Sequence, residues 1–326
     1  MRIAMIGAGY VGLVSGACFA DFGHEVVCVD KDEGKVAALK AGRSPIYEPG
    51  LSELVAANQR AGRLSFTGDI SEGIRGAQAV FICVGTPTLP GDGGADMRSV
   101  YQAAREIGEA IEGFVVVVNK STSPIGACDE ILRILAERAP RDSFAVACNP
   151  EFLREGAAID DFKQPDRVVI GVEDEAARRV MREIYQPLER NGSPIVYTTR
   201  RTAELVKYAA NVFLAMKVTF INEIADLCEK VGGDVMDVAH GVGLDKRIGR
   251  RFLNPGPGFG GSCFPKDAVA LLKSGLDHDV PLRIVEAVVA VTRLDGGGRV
   301  QVLLQFLGSE VPVSVSRDAL MPARAA

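Results

Sequence analysis

The sequence predicts an α/β architecture in two parts: a doubly wound parallel sheet first, then a helical domain entered through one long helix. Three observations carry this. Short β-branched runs alternate with helix-compatible segments as far as Tyr197. Glycine-rich turns sit where those runs end, at Gly7–Gly12 and again at Gly85. From Thr202 the alternation stops, because Thr202–Val231 runs 30 residues without proline or glycine.

Composition narrows the class. At 326 residues, with 47% hydrophobic and 24% charged, the chain can bury two ordinary globular cores. A net charge of −5 and the lack of a basic stripe argue against nucleic acid as a partner. The seven cysteines form no CxxC pair and no ligand spacing, so no metal is expected. Their odd, scattered placement suits a reducing compartment. Arg2–Ile6 enters a strand at once, with no signal peptide, and no run approaches a membrane span. The expectation is a cytoplasmic protein with no membrane partner.

Taken in order, the strand Arg2–Ile6 leads into Gly7-Ala-Gly9-Tyr-Val-Gly12, a helix to Phe22 and Gly23, and a second strand, Glu25–Val29, ending at Asp30. A G-x-G-x-x-G turn between strand and helix, with a carboxylate 18 positions after its last glycine, is the layout of a dinucleotide site. The diphosphate would rest on the helix N-terminus and the carboxylate would take the ribose hydroxyls. Gly7, Gly9, Gly12 and Asp30 are therefore candidate cofactor residues, and this half is Rossmann-like. Asp30 would repel a 2′-phosphate and so favours NAD over NADP; Lys31 and Lys35 pull weakly the other way. Ala79–Val84 ends in Gly85-Thr86-Pro87 at the sheet's carboxyl edge, before a surface loop over 88–97 and a helix Arg98–Ile111. Val115–Val118 is a fully apolar strand leading to Lys120-Ser-Thr-Ser-Pro124 and a helix to about Arg138. Phe144–Cys148, Arg167–Val172 and Ile195–Tyr197 complete the strands, with a helix over Asp174–Leu188.

On the long helix, Leu205, Ala209, Val212, Met216 and Phe220 mark one apolar stripe, which reads as a dimer element. Glu204, Lys207, Tyr208 and Asn211 share another ridge, so Lys207 and Asn211 point the same way. A lysine on such a ridge is by default solvated. A short helix around Asp234–His240 follows. The three histidines have no partner at useful spacing, which leaves acid–base work to carboxylates, lysine or water. The stretch Gly256–Asp267 places four glycines in six residues directly before Cys263. Pro265 suits a first helical turn, so Cys263 is expected at a helix N-terminus with Lys266 nearby, conditions that favour a thiolate. A glycine loop with an incidental buried cysteine is the competing reading.

The motifs GAGYVG (7–12), VGTP (84–87), KST-P (120–124), PEFLREG (150–156), Lys207 with Asn211, and GFGGSCFPKD (258–267) resemble, in order and spacing over about residues 1–291, the UDP-glucose/GDP-mannose dehydrogenase family. The runs Glu151–Asp161 and Phe252–Gly256 are more similar to its UDP-glucose branch. The resemblance implies oxidation of UDP-glucose to UDP-glucuronate with two NAD, through a Cys263 thiohemiacetal and thioester. GDP-mannose or a UDP-N-acetylhexosamine would be the alternative substrate. It gives Lys207, rather than Lys266, the stabilising positive charge, with Asn211 beside it. Asp267 and Thr122 would orient water and move protons, and Glu155 would aid hydrolysis. The nucleotide sugar would lie on Glu151, Phe152, Leu153, Arg154 and Glu155, with Lys207 and Asn211. Arg247, Phe252, Leu253, Asn254, Pro255, Gly256, Phe259 and Gly260 would hold its other side. Lys35, Thr86, Ser121, Glu155 and Lys266 would join the glycines and Asp30 around NAD.

The same resemblance divides the chain into an NAD-binding domain (1–199), a helical central and dimerisation domain carrying the cysteine loop (200–291), and an atypical tail (292–326) where family members continue into a UDP-binding domain. The tail, with Gly-Gly-Gly, an apolar patch Val300–Leu307 and a Ser/Arg/Ala remainder, looks like a truncated or frameshifted end. A catalytically silent NAD-binding homodimer is the alternative of another class.

Overall fold

The computed structural model describes residues 1–89, 94–261 and 263–289 with their side chains, and 290–291, 294–295, 299–306 and 309–316 by backbone. Ser262, residues 90–93 of the 88–97 loop and the side chains of the Val300–Leu307 patch lie outside the described residues. The chain forms two compact units, residues 1–88 with 95–207, and 89–94 with 208–326.

The first unit holds β1 (Arg2–Ile6), α1 (Tyr10–Asp21), β2 (Glu25–Val29), α2 (Glu33–Lys40), α3 (Leu51–Arg60), β3 (Leu64–Thr67), α4 (Ile70–Ile74) and β4 (Ala79–Ile82). It continues with α5 (Arg98–Ala110), β5 (Val115–Asn119), α6 (Ala127–Ala136), β6 (Phe144–Cys148), α7 (Ala158–Lys163), β7 (Val168–Gly171), α8 (Glu175–Arg190), β8 (Ile195–Thr198) and the start of α9 (Arg200–Val231). The sheet order is β3-β2-β1-β4-β5-β6-β7-β8. Along β1 the side chains alternate between two cores, as strands covered on both faces must. Ile3 and Met5 pack with Leu13 of α1 and Met181 of α8, whereas Ala4 and Ile6 pack with Ile107 of α5 and Ile131 of α6. Gly16 lets α1 lie close to the sheet, since a Cβ there would stand 2.8 Å from Cys28 Sγ.

The doubly wound fold is as the sequence predicts, with one difference. β6 and β7 pair antiparallel, Cys148 opposite Gly171, and β8 runs parallel to β7. The N-terminal ends of β7 and β8 therefore lie at the carboxyl edge of the other six strands. Four short elements between Asp30 and Ala79 (α2, α3, β3 and α4) carry too few periodic positions to stand out in the sequence.

The second unit contains the rest of α9, then α10 (Val235–Gly243), α11 (Phe264–Asp277) and α12 (Arg283–Val291). Tyr208 and Val212 of α9 pack on Ala268 and Leu271 of α11, and Ile221 packs on Ala239 and Leu253. Beyond α12, β9 (Leu294–Asp295), β10 (Arg299–Phe306) and β11 (Ser309–Ser316) form an antiparallel sheet, Phe306 opposite Ser309. The described part of the atypical tail thus contains paired strands.

In helix α9 the polar ridge is buried: Glu204, Lys207, Tyr208 and Asn211 are all inside, Lys207 only 4% exposed. The solvated-lysine reading therefore fails. Its apolar stripe is largely exposed, with Leu205 at 42% and Phe220 at 49%, and Phe213, which the spacing left outside the stripe, is exposed as well. Val212, assigned to that stripe from its spacing, turns into the core instead.

Candidate active site

The dinucleotide turn is built by backbone that tolerates no side chain at Gly7 or Gly12, whereas a Cβ at Gly9 would meet nothing within 4 Å. Gly7 has φ +101° and donates to Val29 O at 2.7 Å. A Cβ on Gly12 would stand 1.8 Å from Gly7 O. The N-cap of α1 is Gly9, which brings no side-chain acceptor, and the first turn carries no acid. That helix end suits a diphosphate, which can accept from several amides at once. At the tip of β2, Asp30 accepts from Ala8 N (2.9 Å), Lys35 Nζ (2.8 Å) and Asp32 N (3.1 Å). Burial pushes the Asp30 carboxyl up, but Lys35 and the two amides outweigh it and hold it below the usual carboxylate range. An ionised acceptor at that tip fits the ribose hydroxyls of NAD.

The next two loops along the carboxyl edge are tied together. Thr86 Oγ1 donates to Thr122 O at 2.8 Å, and Ser121 Oγ donates to Val84 O at 2.8 Å. Behind them Lys120, unassigned in the sequence reading, is buried and donates to Asn149 Oδ1 at 3.0 Å. Burial pulls its pKa down against the nearby Cys83 and Glu151. Asn149 also accepts from Tyr185 OH and donates to Val169 O at 2.9 Å, which clamps the end of β6 to β7.

That clamp precedes Glu151, whose main-chain O and Oε1 receive Lys207 Nζ at 2.6 and 3.1 Å. Leu153 N donates to Glu151 Oε2 at 2.6 Å. The Phe152 ring lies 5.2 Å from Lys207 Nζ and 3.7 Å from the Arg167 guanidinium carbon. Arg154 is tied to Asp161 through backbone and guanidinium, and Glu155 is exposed. Glu48, a residue the sequence reading passed over, is buried and accepts from Tyr10 OH, Gly156 N and Ala158 N. It thus joins the dinucleotide turn to the Glu155 segment. One turn before Lys207, Glu204 accepts from Gly126 N (2.6 Å) and Cys128 N (2.8 Å), capping α6. Its carboxylate and the thiols of Cys128 and Cys148 lie within 4.8 Å of one another, a cluster the sequence spacing conceals.

In the second unit, Cys263 is the N-cap of α11, with Pro265 in the first turn and Cys263 O accepting from Asp267 N at 2.9 Å. The helix start is as expected, and the buried-cysteine reading fails, because Cys263 is the exposed one of seven. Asp267 is fully buried and accepts from Asn211 Nδ2 at 2.6 Å, while Lys266 Nζ lies 4.0 Å from Asp267 Oδ1. The preceding loop is strained at Phe252, a non-glycine residue with φ +66°, and its ring faces Phe264 at 6.1 Å. Phe259 packs on the same ring, and Gly256 N donates to Asn222 Oδ1 of α9 at 2.9 Å. Leu253 is a core residue, Asn254, Gly256 and Gly260 are exposed, and Pro255 is half-buried. Arg247 is exposed and paired with Asp245 at 2.6 Å.

Comparison with known proteins agrees with these features. Residues 1–189 match the NAD-binding domain of the UDP-glucose/GDP-mannose dehydrogenase family, and residues 201–293 match its central domain. A UDP-glucose 6-dehydrogenase of Rhizobium meliloti (strain 1021) is 64% identical over 293 residues, 89% of this chain and 67% of that protein. One from Bacillus subtilis (strain 168) is 49% identical over 94% of this chain and 66% of its own length. The solved UDP-glucose dehydrogenase of Pyrobaculum islandicum superposes with a TM-score of 0.85 at 45% identity, covering 89% of this chain and 67% of that one. A GDP-mannose dehydrogenase from Pseudomonas aeruginosa reaches 0.73 at 37%, covering 89% and 68%. The chain spans about two thirds of the length of the curated relatives it matches. With both family domains matched and the glycine turn, Asp30 and the cysteine loop in place, the chain belongs to the UDP-glucose/GDP-mannose dehydrogenase family.

Proposed function

We propose that this chain carries the NAD-binding and catalytic parts of a UDP-glucose 6-dehydrogenase, which oxidises the sugar C6 alcohol to the acid in two steps and works as a homodimer. The observation that carries the reading is Cys263, exposed at the start of α11, with the buried Asn211–Asp267 pair one turn behind it. The higher identity to UDP-glucose enzymes than to the GDP-mannose enzyme favours UDP-glucose as substrate.

NAD, when bound, accepts the hydride of each oxidation. Cys263 Sγ adds to the intermediate aldehyde to form a thiohemiacetal, whose oxidation leaves a thioester for water to hydrolyse. Lys207, fixed by two acceptors on Glu151, presents a positive charge that does not have to reorganise when an alkoxide develops. A preorganised donor of this kind contributes about 3–4 kcal/mol. Asn211 supplies a second donor, oriented by Asp267, and Asp267 with Thr122 handles the proton and the water. Glu155 assists hydrolysis.

The test is NADH formation from UDP-glucose. Two NADH per UDP-glucuronate are expected, and Cys263→Ser should stop acid formation while NAD still binds. Bound NAD with no turnover on UDP-glucose, GDP-mannose or a UDP-N-acetylhexosamine would overturn the reading in favour of a silent NAD-binding protein.

A further inference from the structure

We propose that Arg167 is a positioning residue for the Glu151–Leu153 segment: its guanidinium pins the Phe152 ring, and with it the backbone that receives Lys207. The inference rests on the reading of that segment as substrate-binding.

The reversed polarity of β7 brings Arg167 into play. In a fully parallel sheet, the residue before a strand lies at the edge away from ligands. Here β7 opposes β6, so its entry point lies at the carboxyl edge. β6 ends at its one pair with β7, Cys148 opposite Gly171, and the segment that follows it meets the residue before β7. There the Arg167 guanidinium carbon is 3.7 Å from the Phe152 ring centroid. That is stacking distance for a planar cation on an aromatic face.

The ring is also what Arg167 has to offset its burial. Half-buried, it makes no hydrogen bond or ion pair among the described residues. Burial pulls its pKa down, and the neighbouring Asp166 opposes this only by charge. The other side of the arrangement is the receiving backbone. Glu151 O and Oε1 hold Lys207 Nζ, and Glu151 Oε2 holds Leu153 N. Phe152 also packs against the core, so losing the guanidinium would loosen one face of the ring and let the flanking Glu151 and Leu153 bonds open more often. Arg167 is thus placed to govern the Lys207 ammonium without touching it.

The chain has no tryptophan, so Phe152→Trp introduces a single fluorophore at the ring. Its acrylamide quenching should rise about fivefold when Arg167→Met is added, the ratio that ~1 kcal/mol of cation–π attraction sustains. Arg167→Lys should restore little of the protection, because an ammonium cannot stack. Should Phe152→Trp fail to fold, hydrogen exchange at the Leu153 amide reads the same contact with the natural ring. Arg167→Met should speed that amide while β8 keeps its rates. Unchanged quenching and exchange would overturn the proposal, as would full rescue by lysine or an equal loss of protection across β7 and β8. Adding UDP-glucose separates this from the functional reading. An Arg167 effect on a ring that never responds to UDP-glucose would refute the substrate role of the segment and leave the pinning intact.

Discussion

Glu48 offers a sharp test of how the cofactor turn is joined to the Glu155 segment. Its Oε2 accepts from Tyr10 OH and from Gly156 N at 2.8 Å, and its Oε1 accepts from Ala158 N at 2.8 Å. Glu48→Gln keeps the shape but turns one acceptor into an NH2 donor. Whichever way the amide sits, at least one backbone N–H then faces another N–H. A lost charge-assisted bond costs about 1.5–3 kcal/mol, and an orphaned buried donor about 1–3 kcal/mol. Because these overlap, the expected destabilisation is about 2–4 kcal/mol. At roughly 2–4 °C per kcal/mol for a unit of about 200 residues, Tm should fall by about 4–16 °C. Circular dichroism melts across pH would check it. Burial pushes the Glu48 carboxyl up, but Tyr10 and the two amides outweigh it and hold it below its ordinary value. As pH falls, the unfolded chain therefore takes the proton first, and Glu48 loses its contribution on passing through its lowered folded value. Glutamine does not titrate, so the gap between the two proteins should be full at neutral pH and narrow below about pH 4, near the ordinary glutamate pKa. Equal melting at neutral pH, or a gap that persists unchanged into acid, would refute the reasoning.

Asp30, with Lys35 drawn onto its carboxylate, should make the chain bind NAD at least about tenfold more tightly than NADP, a difference of ~1.4 kcal/mol. Asp30→Asn should narrow that ratio by freeing Lys35 for a 2′-phosphate, and titration showing equal affinities in the unaltered chain would count against the assignment. The exposed apolar face of α9 should hold two copies together, so Phe213→Glu with Phe220→Glu should convert a dimer to a monomer in sedimentation. A monodisperse monomer of the unaltered chain at micromolar concentration would remove that claim.

Features that depend on a few neighbouring residues were legible without the fold. The glycine turn needs a φ value at Gly7 and close approaches at Gly7 and Gly12 that only glycine meets, and Asp30 follows at a spacing set by one strand–helix–strand unit. Pro265 marks a helix start wherever the helix packs, so the N-terminal place of Cys263 could be read directly. Glu48 was invisible because its partners lie 38, 108 and 110 positions away in sequence. Arg167 was invisible because its place at the ligand edge depends on the direction of β7, and an apolar run reads the same in both directions.

Helix α9 shows where the sequence stops deciding. Its spacing alone sorts most of the residues into an apolar stripe and a polar ridge, and that sorting holds except at Val212. Which side faces inward was not in the spacing. A polar ridge can be buried only where every group meets a partner. Those partners come from elsewhere in the chain: the amides of Gly126 and Cys128 for Glu204, the carbonyl and carboxylate of Glu151 for Lys207, and the Asp267 carboxylate for Asn211. Only the tertiary structure brings them up to the helix, and so only the tertiary structure turns Lys207 from a surface lysine into a buried, fixed charge.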